Sequence, residues 1–160
     1  MQIRKIEKRD NEILELIIKQ CLKEYDGQKE GCAFTDPCLA NLYEEYLSSD
    51  GNYWVVEELG DVLGGCGIGP VPGKAGVCEL QKMYLLPQAR GTGIATKLLE
   101  VALTFAKVQY QTCYIETFSN MVEANAFYAK NGFTRLEQRL VDGPHFACDV
   151  WYIKELKNEA

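Results

Sequence analysis

The 160 residues carry 17 basic and 23 acidic side chains, a net charge of −6, with 47% hydrophobic and 25% charged residues. This ordinary soluble composition excludes a disordered, collagen-like or coiled-coil chain, and at this length folding buries roughly 70% of the unfolded surface. The acidic balance has the wrong sign for a protein that holds nucleic acid or an anionic membrane through Lys and Arg, so a polyanionic ligand would need a local basic window.

In chain order, Gln2 to Lys8 reads as a short strand, with apolar Ile3 among charged neighbours. Asp10 is placed to cap a helix whose Ile13, Leu14, Ile17, Ile18, Cys21 and Leu22 recur at helical spacing up to Tyr25. After a loop with Gly27 and Gly31, Asp36-Pro37 reads as the N-cap and first turn of a second helix carrying Leu39, Leu42, Tyr43, Tyr46 and Leu47. The cluster Ser48-Ser49-Asp50-Gly51-Asn52 stops it.

From Tyr53 the period changes to two, and Tyr53 to Glu58, a turn at Leu59-Gly60-Asp61 and Val62 to Ile68 predict a hairpin. Gly65-x-Gly67-x-Gly69 lies within that strand pattern and leads to Pro70 and Pro72, so it reads as close backbone packing or a bulge and not as a nucleotide loop. Val77 to Leu86 is the next strand, ended by Pro87. Beyond Gly91 and Gly93 a long helix runs to Val108, with Ile94, Leu98, Leu99, Ala102, Phe105 and Ala106 on one stripe. Thr112 to Phe118 is a strand, Met121 to Lys130 a helix closed by Asn131-Gly132, and Phe133 to Leu140 and Asp149 to Leu156 are the last strands. The order βαα, βββ, αβ, αββ, without repeat or linker, predicts one α/β domain over residues 1–160 with a mixed central sheet flanked by helices.

The seven Cys (Cys21, Cys32, Cys38, Cys66, Cys78, Cys113 and Cys148) are odd in number and include no C-x-x-C pair, which predicts buried thiols in a reducing cytoplasm. His145 is the one histidine, too few for a His-rich metal site, and after Gly143-Pro144 it reads as a loop residue. The first eight residues lack the apolar run of a signal peptide, and no uncharged apolar stretch approaches membrane-spanning length. The expectation is a cytoplasmic protein without metal, membrane or nucleic acid.

Pro87-Gln88-Ala89-Arg90-Gly91-Thr92-Gly93 sits between a strand and a helix, where free N–H groups and the helix dipole favour an anion. From Lys82 to Lys97 the chain holds Lys82, Arg90 and Lys97 and no Asp or Glu, the local reversal of sign that such a site needs. Strand-loop-helix glycines also serve packing alone, so by itself the segment divides evenly between the two readings.

Gln88-x-x-Gly91-x-Gly93 resembles the pyrophosphate-loop motif of the GNAT superfamily of acyl-CoA-dependent N-acyltransferases. Met121-Val-Glu-Ala-Asn125-Ala-Phe-Tyr128-Ala-Lys130-Asn-Gly132-Phe133 resembles that family's second signature, a helix carrying Tyr and closed by Gly-Phe. The similarity extends over nearly the whole chain. It implies a sheet whose central strands splay and acetyl-CoA as co-substrate. The pyrophosphate would lie over the N–H groups of Arg90, Gly91, Thr92, Gly93, Ile94 and Ala95, near Gln88 and Ala89. The pantetheine would pair like an extra strand with Met83, Tyr84 and Leu85. Relatives hold the pantetheine with an Asn after the next strand. Here Asn120 and Met121 occupy that region while Asn125 lies within the helix, a departure from the pattern that leaves open which Asn, if either, touches the cofactor. Lys130 closes the second signature among the cofactor residues.

The resemblance further implies Tyr128 as a cofactor contact and as the acid that protonates the leaving thiolate, with core packing as the alternative role of this aromatic. It implies Glu79 as the base acting through water, with Glu116 on the next strand as runner-up. A strand Glu is otherwise a solvent-facing residue, and a desolvated carboxylate with a raised pKa suits a base better than an exposed one. The implied reaction moves acetyl from acetyl-CoA to a primary amine, on a small molecule or a peptide, by direct attack in a ternary complex. A non-catalytic acyl-CoA binding or sensing module is the alternative, and homodimerisation is open. The Gly27 to Thr35 loop, the first two helices and the turn from Val141 to Phe146 would shape the acceptor pocket. Their Glu24, Asp26, Glu30, Asp36, Glu44 and Glu45 either attract a cationic amine or form a solvated acidic surface.

Overall fold

Side chains alternate along Asn52–Glu58, and the alternation gives the sheet its two faces: Trp54 and Val56 enter one apolar cluster, Tyr53 and Val55 the other. The computed structural model describes residues 1–47 and 50–156. Its strands are β1 (Gln2–Lys5), β2 (Asn52–Glu58), β3 (Asp61–Pro70), β4 (Val77–Leu85), β5 (Thr112–Thr117), β6 (Thr134–Leu136) and β7 (Val150–Glu155). They form one sheet in the order β1-β2-β3-β4-β5-β7-β6, in which β4 and β5 run parallel and the other neighbours antiparallel.

Helix α1 (Asn11–Lys23) buries Leu14, Ile18 and Leu22 against one face. Helix α3 (Ile94–Gln109) lays Leu98, Leu99, Ala102, Leu103 and Ala106 on the other, and α4 (Val122–Lys130) adds Tyr128. At about 1.5–3 kcal/mol for each buried large aliphatic, these stripes are what dock the helices. Phe105, on the edge of the α3 stripe, packs edge-on against Trp54 at 5.2 Å.

The glycine-rich run of β3 serves close packing, as expected. A Cβ on Gly67 would stand 2.8 Å from the rings of Tyr46 and Tyr53.

Three elements differ from the sequence expectation, each because a side chain takes over a backbone bond. Strand β1 stops at Lys5 and a 3₁₀ turn covers Lys8–Asp10. The Asp10 carboxylate accepts from Glu7 N–H at 2.7 Å and from the Arg4 guanidinium at 2.8 and 3.0 Å, and it makes no cap bond to α1. The second helix is a 3₁₀ stretch at Pro37–Asn41 followed by a single turn, α2 (Leu42–Glu45), with Asn41 at φ −134° and ψ 43° between them. There the Asn11 side chain accepts from Tyr43 N–H at 2.8 Å, and Asp36 makes no side-chain cap. Of the expected stop cluster, Ser48 and Ser49 lie outside the described residues. Strand β6 ends at Leu136 and not at Leu140, whose N–H donates to the Tyr114 hydroxyl at 3.1 Å.

Arg4 also donates to Glu57 at 2.7 Å, and the Arg4 and Asp10 side chains are 22% and 3% exposed. Burial alone would raise the Asp10 carboxyl, but the hydrogen bonds from Arg4 and Glu7 N–H hold it below its ordinary value. Arg4→Met should therefore cost about 3 kcal/mol, read from the urea midpoint at neutral pH. Because the folded-state pKa is depressed, that contribution is present above the usual carboxylate range and disappears as pH falls through the folded value. The gap between wild type and variant should close in acid.

Candidate active site

Strands β4 and β5 pair only over Val77–Glu79 with Thr112–Tyr114. Beyond that point β4 carries an extra residue. Gly65 faces Tyr84 but Gly67 faces Gln81, so Lys82 and Met83 together oppose Cys66, and Lys82 takes the left-handed φ of +48°. A bulge of this kind bends its strand. The gap beside it is a cavity of about 220 Å³, with Met83, Tyr84 and Leu85 on one wall, Ile115, Glu116 and Thr117 on the other, and Phe127 and Tyr128 of α4 between them. Along this wall β4 has no strand partner on its β5 side, so an extended ligand can pair with it.

At the mouth, a 3₁₀ turn at Pro87–Ala89 leads into the sixteen-residue α3, whose N-cap is Gly93 at φ +85° with no side-chain cap bond. Gly91 lies at φ +71°, and a Cβ on either glycine would meet nothing within 4 Å. Thr92 Oγ1 donates to Ala89 O at 2.6 Å and closes the loop on itself. Ile94 N–H makes a long bond of 3.4 Å to Thr92 Oγ1, and the other N–H groups of the first turn lie beside the two open glycines, an arrangement that favours a phosphate. The basic window is weaker than the sequence suggests. Arg90 pairs with Glu24 at 2.8 and 3.1 Å and donates to Leu85 O at 2.9 Å, while Lys82 pairs with Asp36 at 3.0 Å. Among the described residues Lys97 is the cation of the three that no carboxylate neutralises. The attraction for an anion falls mainly to the backbone and the α3 dipole.

The Tyr128 ring packs against Phe127, Phe133 and Tyr152 at 5.9, 6.1 and 5.7 Å. Its hydroxyl has no hydrogen-bond partner among the described residues, and burial pushes the phenol above its ordinary pKa. A second, narrower cavity of about 40 Å³ adjoins the first and is lined by Glu79, Lys82, His145 and Cys148, among others. Glu116 lines both.

Burial first, and then the charge of Glu79, push the Glu116 carboxyl up to about 7 against the opposing pull of His145 and the Tyr114 hydroxyl. Glu79 is oriented from behind, since Tyr46 donates to Gln81 at 2.5 Å and Gln81 donates to Glu79 at 2.9 Å. His145 Nε2 lies 2.8 and 3.0 Å from the two oxygens of Asp36. Glu79, Glu116 and His145 bring one ligating atom each within 4.8 Å of one another, close enough to hold a metal ion. This arrangement can take a proton from a group in the narrow cavity and give one to a group in the wide one.

The sequence pattern of the Acetyltransferase (GNAT) domain matches residues 49–135. The uncharacterised N-acetyltransferase YjgM of Escherichia coli (strain K12) is 38% identical over 157 residues, covering 96% of this chain and 94% of its own. The chain belongs to the GNAT acetyltransferase family. Rat N-acetyltransferase 8F1 is 31% identical, and this chain spans 58% of its length. Among solved structures, a GNAT-family acetyltransferase from Staphylococcus aureus Mu50 superposes with a TM-score of 0.83 at 23% identity, covering 98% of this chain and 99% of that one. YncA from Salmonella typhimurium, solved with its cofactor acetyl-CoA, gives 0.77 at 19%, covering 100% and 96%. The splayed mixed sheet is therefore the GNAT fold, and the chain is an acyltransferase.

Of the residues that the GNAT signatures single out, Met83, Tyr84, Leu85, Arg90, Gly91, Ala95 and Tyr128 line the wide cavity. Ala89, Thr92, Gly93 and Ile94 form the loop and first turn beside it, and Gln88 faces a separate surface pocket with Arg4 and Asp10. Asn120 is exposed and donates to Tyr25 O at 2.9 Å. Asn125 donates to Phe118 O and Met121 O at 2.9 and 2.7 Å and accepts from Tyr152 at 2.7 Å. Its amide is occupied in tying α4 to the turn that precedes it and to β7. Lys130 ends α4 on the exposed surface.

The sequence reading passes over Asp36, Lys82 and His145 as a group. No local signal reports them, because they lie on three segments joined only by folding.

Proposed function

We propose that the chain transfers acetyl from acetyl-CoA to a primary amine by direct attack in a ternary complex, with acetyl-CoA in the wide β4–β5 cavity and the amine entering through the narrow one. The observation that carries this reading is Glu116, a carboxyl pushed up to about 7 at the junction of the two cavities. At that value it is ionised often enough to accept a proton near neutrality and basic enough to hold one. Acetyl-CoA as co-substrate draws support from the YncA complex and from PaiA N-acetyltransferase of Thermoplasma acidophilum in complex with coenzyme A.

The pyrophosphate sits over the N–H groups of Gly91 to Ala95, and the pantetheine runs along Met83, Tyr84 and Leu85. The amine nitrogen attacks the thioester carbonyl, the C–S bond breaks, and Tyr128 gives its proton to the departing thiolate. A phenol weakened by burial still serves, because the same dry surroundings raise the proton affinity of the thiolate.

Glu116 is the base and Glu79 the neighbour that raises its proton affinity. This assignment exchanges the order expected from the family resemblance. A purely binding module would gain nothing from burying two carboxyls together, which favours the enzyme over the sensing alternative. Direct attack is favoured over an acyl-cysteine, since burial and then Glu116 push the Cys148 thiol up to about 12 and burial also raises Cys21. The narrow cavity admits an amine on a slender chain. Among the described residues no helix is long and apolar enough to cross a membrane. All seven cysteines are free and six are buried, which suits a reducing cytoplasm.

Tyr128→Phe tests the mechanism. Removing the hydroxyl should slow the chemical step by about 10²–10⁴-fold in single-turnover assays while calorimetric affinity for acetyl-CoA stays near wild type. An unchanged rate would reduce Tyr128 to core packing.

A further inference from the structure

A cationic acceptor R–NH₃⁺ loses two protons on becoming the amide R–NH–COCH₃. The CoA thiolate takes up one of them in net terms, so one proton must leave the site in every turnover. Tyr128 ends each cycle as it began, and the Glu79–Glu116 pair can store the surplus proton but sits half-buried between two cavities. We propose that His145, oriented by Asp36, is the relay that carries this proton from the Glu79–Glu116 pair to solvent. The inference rests on the acetyl-transfer reading above.

The geometry supplies each requirement of a relay. One nitrogen of His145 lies with the Glu79 and Glu116 oxygens in a group no wider than 4.8 Å. Asp36 engages Nε2 with both oxygens, which leaves Nδ1 without a hydrogen-bond partner among the described residues. The His145 side chain is 18% exposed, against 10% for Asp36, so it stands between the half-buried pair and water. The ring is also held mechanically. Ala147 N–H donates to Gly31 O at 2.8 Å, and Phe146 packs on Gly31. This clamps the loop that bears His145 to the loop before Asp36.

The groups facing the imidazole are Asp36, Lys82 and Glu79, with Glu116 across the cavity. Lys82 and His145 in turn keep Asp36 ionised despite its burial. In the relay step the carboxyl O–H bond breaks as its proton passes to one bridging water, and that water gives a proton to the free nitrogen of His145, where an N–H bond forms. The Nδ1–H bond of the imidazolium then breaks as a solvent water takes that proton, while Nε2–H stays hydrogen-bonded to Asp36, which remains a carboxylate. Nothing is oxidised or reduced.

The test is chemical rescue of His145→Gln, assayed beside the wild type with one accepted amine, in dilute buffer with a chelator present throughout. The kcat should fall about 10²-fold, the lower end of what a positioned proton carrier contributes. The KM and calorimetric affinity for acetyl-CoA should hold. Added imidazole should restore the variant in proportion to its concentration and leave the wild type unchanged. His145→Asn is measured in parallel, so that a packing defect in one replacement does not decide the result. A variant with wild-type turnover overturns the relay. So does a slow variant that binds acetyl-CoA normally and ignores imidazole, because His145 would then act only as a clamp. A wild type that acetylates no amine would sink the acetyl-transfer reading itself, an outcome distinct from either.

Discussion

Gly91→Glu should weaken acetyl-CoA binding by at least about 100-fold, because like charges brought together at an interface cost several kcal/mol and each 1.4 kcal/mol is tenfold. Gly91 lines the cavity mouth, and a Cβ there would point into open space. On the proposed placement of the cofactor, the added carboxylate would stand where the pyrophosphate approaches the first N–H groups of α3. The protein should still fold. The left-handed φ of +71° carries a penalty of about 1 kcal/mol for any residue with a Cβ, and a carboxylate near a helix N-terminus returns part of it. Gly91→Ala is the control, since it imposes the same backbone penalty without the charge and should keep most of the affinity. Near-normal binding by Gly91→Glu in calorimetry would remove the loop from the cofactor site.

Glu116→Gln should lower kcat/KM by about 10²–10⁴-fold at pH 8 and erase the acidic limb of its pH profile. As the proposed base, Glu116 has to be ionised to accept a proton, so wild-type kcat/KM should rise as pH climbs through about 7 and level off above it. After burial, Glu79 is the second cause of that value. Glu79→Gln should therefore keep an acidic limb but move it to lower pH. Stability runs the other way. A carboxyl whose folded-state pKa is raised binds more protons folded than unfolded, so the protein loses stability as pH rises from the ordinary carboxylate range to about 7. Glu116→Gln removes that decline and should melt higher than wild type at pH 8. A limb that persists unmoved in Glu116→Gln would assign the base elsewhere.

The half of the site that runs continuously along the chain is legible in sequence. Strand, Pro87, Gly91, Gly93 and the α3 stripe occur in one stretch, and local propensity there agrees with the fold. The sequence leaves Tyr128 between acid and core, and the structure is compatible with both: its ring packs while the residue lines the cavity. What failed to show is what folding brings together from afar. Glu79 and Glu116 look alike as strand carboxyls, and only the splay of β4 from β5 decides which of them reaches both cavities.

Asp36 before Pro37 has the pattern of a helix cap, yet its carboxylate is drawn to Lys82 and to His145, which is 109 positions away. The second helix is interrupted at Asn41 for a similar reason, since the Asn11 side chain, from a distant segment, takes the Tyr43 N–H. The apparent basic window from Lys82 to Lys97 misled for a related reason, because Glu24 and Asp36 from the N-terminal segments cancel two of its charges.

Acetyl transfer from acetyl-CoA to an amine across the junction at Glu116 can be followed by incubating the protein with acetyl-CoA and a panel of slender primary amines at pH 8 and measuring both free CoA thiol and acetylated amine by mass spectrometry. Equal amounts of the two products are expected with at least one amine, and loss of both in Glu116→Gln. Tight binding of acetyl-CoA with no acetylated amine from any member of the panel, or thiol release without an acetylated product, would contradict it.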